Sequence, residues 1–300
     1  MGRPVVGREG LPALLRLGTL GPVKLTHVTG PPPLTWLYVP ADRPDRVEKA
    51  LASDAHAVIV DLEDGVAPEA KSTARENLAS LLDRPSEKTV VVRVNGVQTG
   101  LADRDLGAAA MLAGVDAIAV PKVEHPDDVA RAVSLLPREL PLHCMIESPA
   151  ALEAAFEIAR APGVAGVMLG EVDLCSQTGA LEDGLDWPRA RLVNAAVAAG
   201  LPRPPQGVFT NVRDFDGLAA SCRRGRALGQ LGRQAIHPDQ LPVIVSAYLP
   251  APHEVERARA TIERLAETEA ASALDGGAFV DAAVLGAARQ VVEIWEAYGS

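Results

Sequence analysis

Aromatic side chains make up only 3% of the 300 residues, so a core of any size has to be built from Ala, Val, Leu and Ile. Positive charge is also short: 29 Lys and Arg face 39 Asp and Glu, a net charge of −10. That balance argues against a broad nucleic-acid-binding face, which needs a basic surface. The three cysteines, at 144, 175 and 222, show no paired spacing such as C-x-x-C. They read as reduced thiols of a cytoplasmic protein. No apolar run approaches the roughly 18–20 residues of a membrane span. There is no G-x-G-x-x-G fingerprint, no Walker loop and no His-based zinc motif. Residues 1–33 are rich in Gly and Pro, with one short apolar patch, Leu11–Leu17, and no small-residue cleavage site. They make a poor signal peptide. The expectation is a flexible extension that stops at Pro31–Pro33.

From Leu34 onward, short β-like runs alternate with Ala-, Leu- and Arg-rich helical stretches. Eight runs stand out: Thr35–Val39, Ala57–Asp61, Thr89–Val94, Ala117–Val120, Leu142–Ile146, Gly166–Leu169, Gln206–Phe209 and Gln234–Ile236. Helical spacing fills the intervals, as in Pro68–Leu82, Asp127–Leu136, Pro149–Arg160, Pro188–Ala199 and Asp214–Leu228. Strand–helix repetition over residues 34–250 predicts a (β/α)8 TIM barrel. A doubly wound open sheet is the competitor, and its phosphate-binding glycine pattern is missing. Residues 251–300 add a charged helix at Pro252–Glu269, a turn at Asp275-Gly276-Gly277 and a last helix over Ala282–Tyr298. This C-terminal helical extension exceeds what closing a barrel requires, and is expected to pack on a neighbouring subunit.

Strand interiors are nearly free of charge, yet polar groups gather where the strands end, the rim at which barrel enzymes carry their chemistry. Glu147 and Asp173 end successive strands of one strand–helix–strand unit, which places them side by side. Two hard oxygen ligands with room for water and substrate suit Mg²⁺ better than zinc. A structural salt bridge is the plainer reading, and Glu171 competes as the second ligand. Strand parity sets Glu147 on the same side as Met145 and His143, opposite Leu142, Cys144 and Ile146. Arg93, inside VVVRV, offers a planar fork for a substrate carboxylate or a developing oxyanion, or for an ion pair with Asp61 or Glu63. Glu63 and Asp64 would support metal-bound water, orient Arg93 or cap the next helix. Lys122, in AVPK, sits where a Schiff-base aldolase carries its amine, but an acidic rim would keep it protonated. Cys175 has no histidine beside it in sequence to activate it, and His237 reads as a hydrogen-bonding residue at a strand end. Arg223, Arg224, Arg226 and Arg233, with Gly225, Gly229 and Gly232, lie where barrels often bind phosphate. A solvated helix face is the alternative.

The runs VPADRPDRVEKAL, VIVDLEDGVAPEAKSTAR, VRVNG, VPKVEHPDDV, MIESPAAL, GEVDL and QAIHPDQL resemble, in this order, the motifs of the citrate lyase β-subunit-like family. That family includes malyl-CoA and citramalyl-CoA lyases, and the resemblance extends over about residues 34–298. It implies a (β/α)8 barrel, Mg²⁺ as cofactor and a homotrimer or hexamer. Glu147 and Asp173 would be the metal ligands, and Arg93 would contact the substrate or its thioester oxygen. Arg43 and Lys122 match positions near the pocket. The segment DGGAFVDAAVLGAARQVV is similar to the family's C-terminal segment, in which an aspartate reaches a neighbouring subunit's site, and Asp281 holds that position. The chain departs from the pattern in three places. It reads Glu147-Ser-Pro-Ala-Ala where a glycine is frequent, has Arg233 where a lysine is common, and its PQGVFTNVRDFDGL is only loosely similar.

The implied chemistry is reversible C–C cleavage of a 3-hydroxyacyl thioester, on CoA or a carrier protein, to a 2-oxo acid and an acyl thioester. Arg226 and Arg233 become the candidates for CoA phosphate contacts. Two other readings stay open: a metal-dependent aldolase on a CoA-free 2-oxo-acid adduct, and a weakly catalytic subunit of an acyl-transfer complex.

Overall fold

The computed structural model of the protein describes residues 32–267, 272–273, 279–280 and 282–299. Seven parallel strands follow one another around a curled sheet: β1 (Thr35–Pro40), β2 (Ala57–Asp61), β3 (Thr89–Arg93), β4 (Ala117–Val120), β5 (Leu142–Ile146), β6 (Val164–Leu169) and β7 (Arg233–Ala235). The hydrogen-bonded order is β6-β5-β4-β3-β2-β1-β7, so sequence neighbours are spatial neighbours and β7 returns beside β1. Helices cover the outside, which is why the strands read as nearly continuous Val, Ile and Ala runs. The fold is a (β/α)8 TIM barrel, as expected.

The expected seventh strand, Gln206–Phe209, is reduced to a single parallel bridge from Gln206 to Arg233. Pro202, Pro204 and Pro205 precede it and supply no N–H to a ladder. The wall closes there partly through a side chain, since Gly207 N donates to Glu171 Oε1 at 3.3 Å, just beyond β6.

Parity divides the strand residues cleanly. Trp36, Ala57, Ile59, Val91, Ala117, Ala119, Met145 and Met168 fill the barrel interior. Leu37, Val58, Val60, Val90, Val92, Ile118, Cys144 and Ile146 face the helices. Met145 therefore points inward and Cys144 and Ile146 outward, as the alternation predicts. Each fully buried Val, Leu, Ile or Met among them contributes about 1.5–3 kcal/mol. Among the described residues no helix is long and apolar enough to cross a membrane.

In the C-terminal extension, helices Pro252–Glu267 and Ala282–Tyr298 pack on each other. Tyr298 stacks on His56 of the same chain, with ring centroids 4.1 Å apart. The expected turn at Asp275-Gly276-Gly277 and the first 31 residues lie outside the described residues.

Candidate active site

The C-terminal ends of β2 and β3 are in register, with Asp61 opposite Arg93. Their side chains therefore meet as a two-pronged pair: Arg93 Nε donates to Asp61 Oδ1 and Nη2 to Oδ2, both at 2.7 Å. The same carboxylate accepts Glu63 N and Gly65 N, each at 2.8 Å, and so winds the DLEDG loop around itself. A Cβ at Gly65 would stand 2.5 Å from Asp61 Oδ2, so only glycine fits there. Arg93 Nη1 lies 3.0 Å from Glu63 Oε2, and its guanidinium sits 5.0 Å from the centre of the Tyr38 ring. Burial works against the Arg93 charge, but the hydrogen-bonded Asp61 outweighs it and holds the guanidinium above its ordinary range. Lys71 Nζ fixes the loop from behind, donating to the carbonyls of Leu62 at 2.8 Å and Glu63 at 2.6 Å.

Glu147 follows β5 and Asp173 sits in the first turn of the helix Glu171–Thr178, beyond β6. Asp173 thus belongs to a helix rather than to a strand end. Both carboxylates line one cavity of about 330 Å³, together with Asp61, Asp64, Arg93, Tyr38 and Gln234. Met145, Leu169, Val172, Val208 and Ile236 supply its apolar wall. Glu147 is 4% exposed, and Lys122 N donates to its Oε2 at 2.9 Å. Burial pushes its carboxyl up to about 7, with further upward pressure from the Glu63 and Asp173 charges.

Among the described residues neither carboxylate side chain forms an ion pair, and two hard oxygen donors on one cavity fit a Mg²⁺ ion. Among the described residues no group of three or more His, Cys, Asp or Glu surrounds one point, so further ligands would be water and substrate oxygen. A proton and a metal would compete for Glu147. Mg²⁺ affinity, measured by titration calorimetry, is therefore expected to fall about tenfold per pH unit below about 7 and to level off above about 8.

Gly170 leaves the space that Glu147 occupies. A Cβ there would lie 2.3 Å from Glu147 Cγ and 2.9 Å from Oε1. Gly170→Ala should displace the carboxylate and weaken Mg²⁺ binding about 10–100-fold, the cost typical of disturbing the groups that orient a ligand. Calorimetry on the variant, with circular dichroism to check folding, measures this directly.

The remaining expected residues are placed unevenly. Lys122 Nζ binds Glu63 Oε1 at 2.6 Å and lies 3.5 Å from Asp64 Oδ1, off the cavity lining. Arg43 is exposed at the start of the first helix, 3.8 Å from Asp45, and also off the lining. Glu171 is no free ligand, because Arg189, itself fully buried, grips it at 2.9 and 2.6 Å. Arg233 corrects an expectation. It begins β7, is 0% exposed, and donates to Gln206 and Ser221 behind the barrel wall, with no surface to offer a phosphate. Arg226 is engaged by Glu254 at 2.8 Å. Arg224 is paired with Asp183 and Asp186. Asp281 lies outside the described residues. Tyr38 and Lys71 carried no recognisable signal in the sequence.

Residues 34–238 match the HpcH/HpaI aldolase/citrate lyase family. The chain belongs to that family. It is 36% identical over 243 residues to a (3S)-malyl-CoA thioesterase of Cereibacter sphaeroides, covering 78% of this chain and 83% of the relative. An L-malyl-CoA/beta-methylmalyl-CoA lyase of the same species is 32% identical over 279 residues, with 81% and 86% covered. The fold is similar to that of Mycobacterium tuberculosis CitE in complex with magnesium, acetoacetate and coenzyme A, at a TM-score of 0.72. The two are 33% identical over 88% of this chain and 97% of that one. The M. tuberculosis citrate lyase beta subunit complexed with oxaloacetate and magnesium aligns at a TM-score of 0.64 and 35% identity, with 74% and 97% covered. In this family member one cavity brings together the buried Glu147, the part-exposed Asp173 and the clamped Arg93.

Proposed function

We propose that the protein is a Mg²⁺-dependent carbon–carbon lyase that cleaves, or in reverse forms, a 3-hydroxyacyl-CoA of the malyl or citramalyl type. The products of cleavage are a 2-oxo acid and an acyl-CoA. The observation that carries this reading is the convergence of Glu147, Asp173 and the clamped Arg93 on one cavity. Glu147 and Asp173 would hold the metal, which when bound supplies Lewis-acid polarisation of the substrate oxygens. Of the five N–H donors of a guanidinium, Asp61 takes two and Glu63 faces a third, which leaves one on each terminal nitrogen. Those two are available to the thioester oxygen as it gains enolate charge, and the Asp61 clamp means no reorganisation is needed when that charge develops. In the condensing direction the acyl α-proton is assigned to Asp281 of a neighbouring copy within a homo-oligomer, on the strength of the family resemblance.

The identity with malyl-CoA thioesterases supports a second reading, hydrolysis of the same class of thioester. One assay separates the two. Malyl-CoA and citramalyl-CoA are incubated with the protein in Mg²⁺ or EDTA, and both 2-oxo acid and free thiol are followed. A lyase releases 2-oxo acid without free thiol; a thioesterase releases thiol without 2-oxo acid. Absence of any Mg²⁺-dependent product from either substrate would sink the proposal.

A further inference from the structure

Lys122 is the only described non-glycine residue with a positive φ, at 54°. Glycine adopts that conformation without steric cost, whereas a side chain strains it. A lysine held there points to a use for both its backbone direction and its side chain. Both are in use. Its N–H donates to Glu147 Oε2 at 2.9 Å, and its Nζ donates to Glu63 Oε1 at 2.6 Å. The other oxygen of Glu63 lies 3.0 Å from Arg93 Nη1. One residue therefore spans the two halves of the site, the carboxylate on the metal side and the arginine fork on the other. Its carbonyl is held as well, by Gln98 Nε2 at 3.1 Å, and Gln98 is tied in turn to Asp128 at 3.1 Å. The ammonium is half exposed, yet both of its acidic neighbours lie on the DLEDG loop and Lys122 does not line the cavity.

We infer that Lys122 is a positioning residue that joins Glu147 to the Glu63–Arg93 pair, and that it does not contact substrate. The inference rests on the function proposed above, in which Glu147 and Arg93 act on the same substrate. Without the ammonium, Glu63 would be balanced by Arg93 alone and would draw on the donors that Arg93 keeps for the thioester oxygen. The effect should appear in turnover and not in substrate binding.

The test compares full-length Lys122→Met, Lys122→Arg, Glu63→Gln and the Lys122→Met/Glu63→Gln pair with the wild type. Lys122→Met is expected to lose about 10–100-fold in kcat, the range for groups that orient a ligand, with KM for the thioester unchanged. Lys122→Arg should recover most of that loss by restoring charge to Glu63. In the Glu63→Gln background, Lys122→Met should cost nothing further, because the coupling runs through Glu63. A second readout needs no turnover. The Arg93 Nε–H, buried against Asp61, should give an exchange-protected NMR resonance that shifts or broadens in Lys122→Met and in Glu63→Gln alike.

A raised KM with normal kcat would overturn the inference in favour of a substrate contact. So would full additivity with Glu63→Gln, or a lowered melting temperature with unchanged kcat. If the wild type proves inactive on every thioester, the functional proposal fails, and the Arg93 resonance still decides the positioning role. An unmoved resonance in Lys122→Met would end it.

Discussion

Glu147→Gln should produce a folded protein that is more stable than the metal-free wild type above neutral pH and has almost no lyase activity. Glutamine keeps the shape of the side chain and an acceptor for the Lys122 N–H, so the loop after β4 is undisturbed. What it removes is a carboxylate charge that burial, Glu63 and Asp173 all oppose in the absence of metal. The sign follows from linkage. The folded-state value, about 7, exceeds the ordinary 4.5, so in that window the native state holds a proton that the unfolded state has released. Wild-type stability contributed by this group is present below about 4.5 and is lost as pH rises toward 7. The glutamine variant lacks the loss, so its advantage in EDTA should grow from near zero at pH 4.5 to as much as about 3 kcal/mol at pH 8. Urea unfolding at the two pH values reads this difference. Activity should move the other way: losing the ligand forfeits several kcal/mol of Lewis-acid assistance, about three orders of magnitude in rate. Retention of turnover within tenfold would show that Glu147 does not hold the metal.

The contrast between Glu147 and Asp173 shows what could be read from the chain. Glu147 was legible because β5 alternates strictly, and two-residue parity carries a side chain from strand to rim without any tertiary knowledge. Asp173 was legible as a neighbour of Glu147 on one rim but not as to its element. GEVDL continues an apolar run, and only the fold shows that Gly170 ends it and that a helix starts at Glu171. Arg93 invited two readings, oxyanion contact and ion pair, and the structure supplies the ion pair with two donors left over. Register decides this, because Asp61 and Arg93 pair across β2 and β3, and no local pattern encodes which strands adjoin.

The misplacements have physical causes as well. Arg233 looked like a phosphate ligand because it stands among arginines and glycines, yet one residue of strand parity turns it outward to Ser221 and Gln206. The Gln206–Phe209 run has the right composition for a strand but follows three prolines, and one bridge is all it forms. Glu171 was an open alternative to Asp173 until Arg189, from the following helix, occupied it. For Arg233 and Glu171 the deciding partner is distant in sequence, and composition near the residue could not report it, whereas the prolines beside Gln206 are a local signal against a strand.

Arg93→Met is expected to damage stability and activity together, and Arg93→Lys to separate them. Asp61 and Glu63 are each 3% exposed, and Arg93 is the cation that reaches both. Removing one partner of a buried pair leaves an uncompensated charge, which costs about 3–5 kcal/mol. Glu63 would still have Lys122, so the larger share of that cost should fall on Asp61, whose other donors are the backbone N–H groups of Glu63 and Gly65. Neutralising that carboxylate as well, in Arg93→Met/Asp61→Asn, should therefore regain part of the stability and none of the activity. Lysine restores a charge but not the planar fork. It can answer Asp61 or the substrate oxygen, but its single ammonium cannot repeat the paired geometry at 2.7 Å on two nitrogens. Arg93→Lys should thus recover most of the stability measured by urea unfolding while kcat remains about 10²–10³-fold down, the loss seen when an oxyanion donor is removed. If Arg93→Lys were as active as the wild type, the arginine would be a structural clamp alone, and the enolate would have to be stabilised by some other group on the cavity wall.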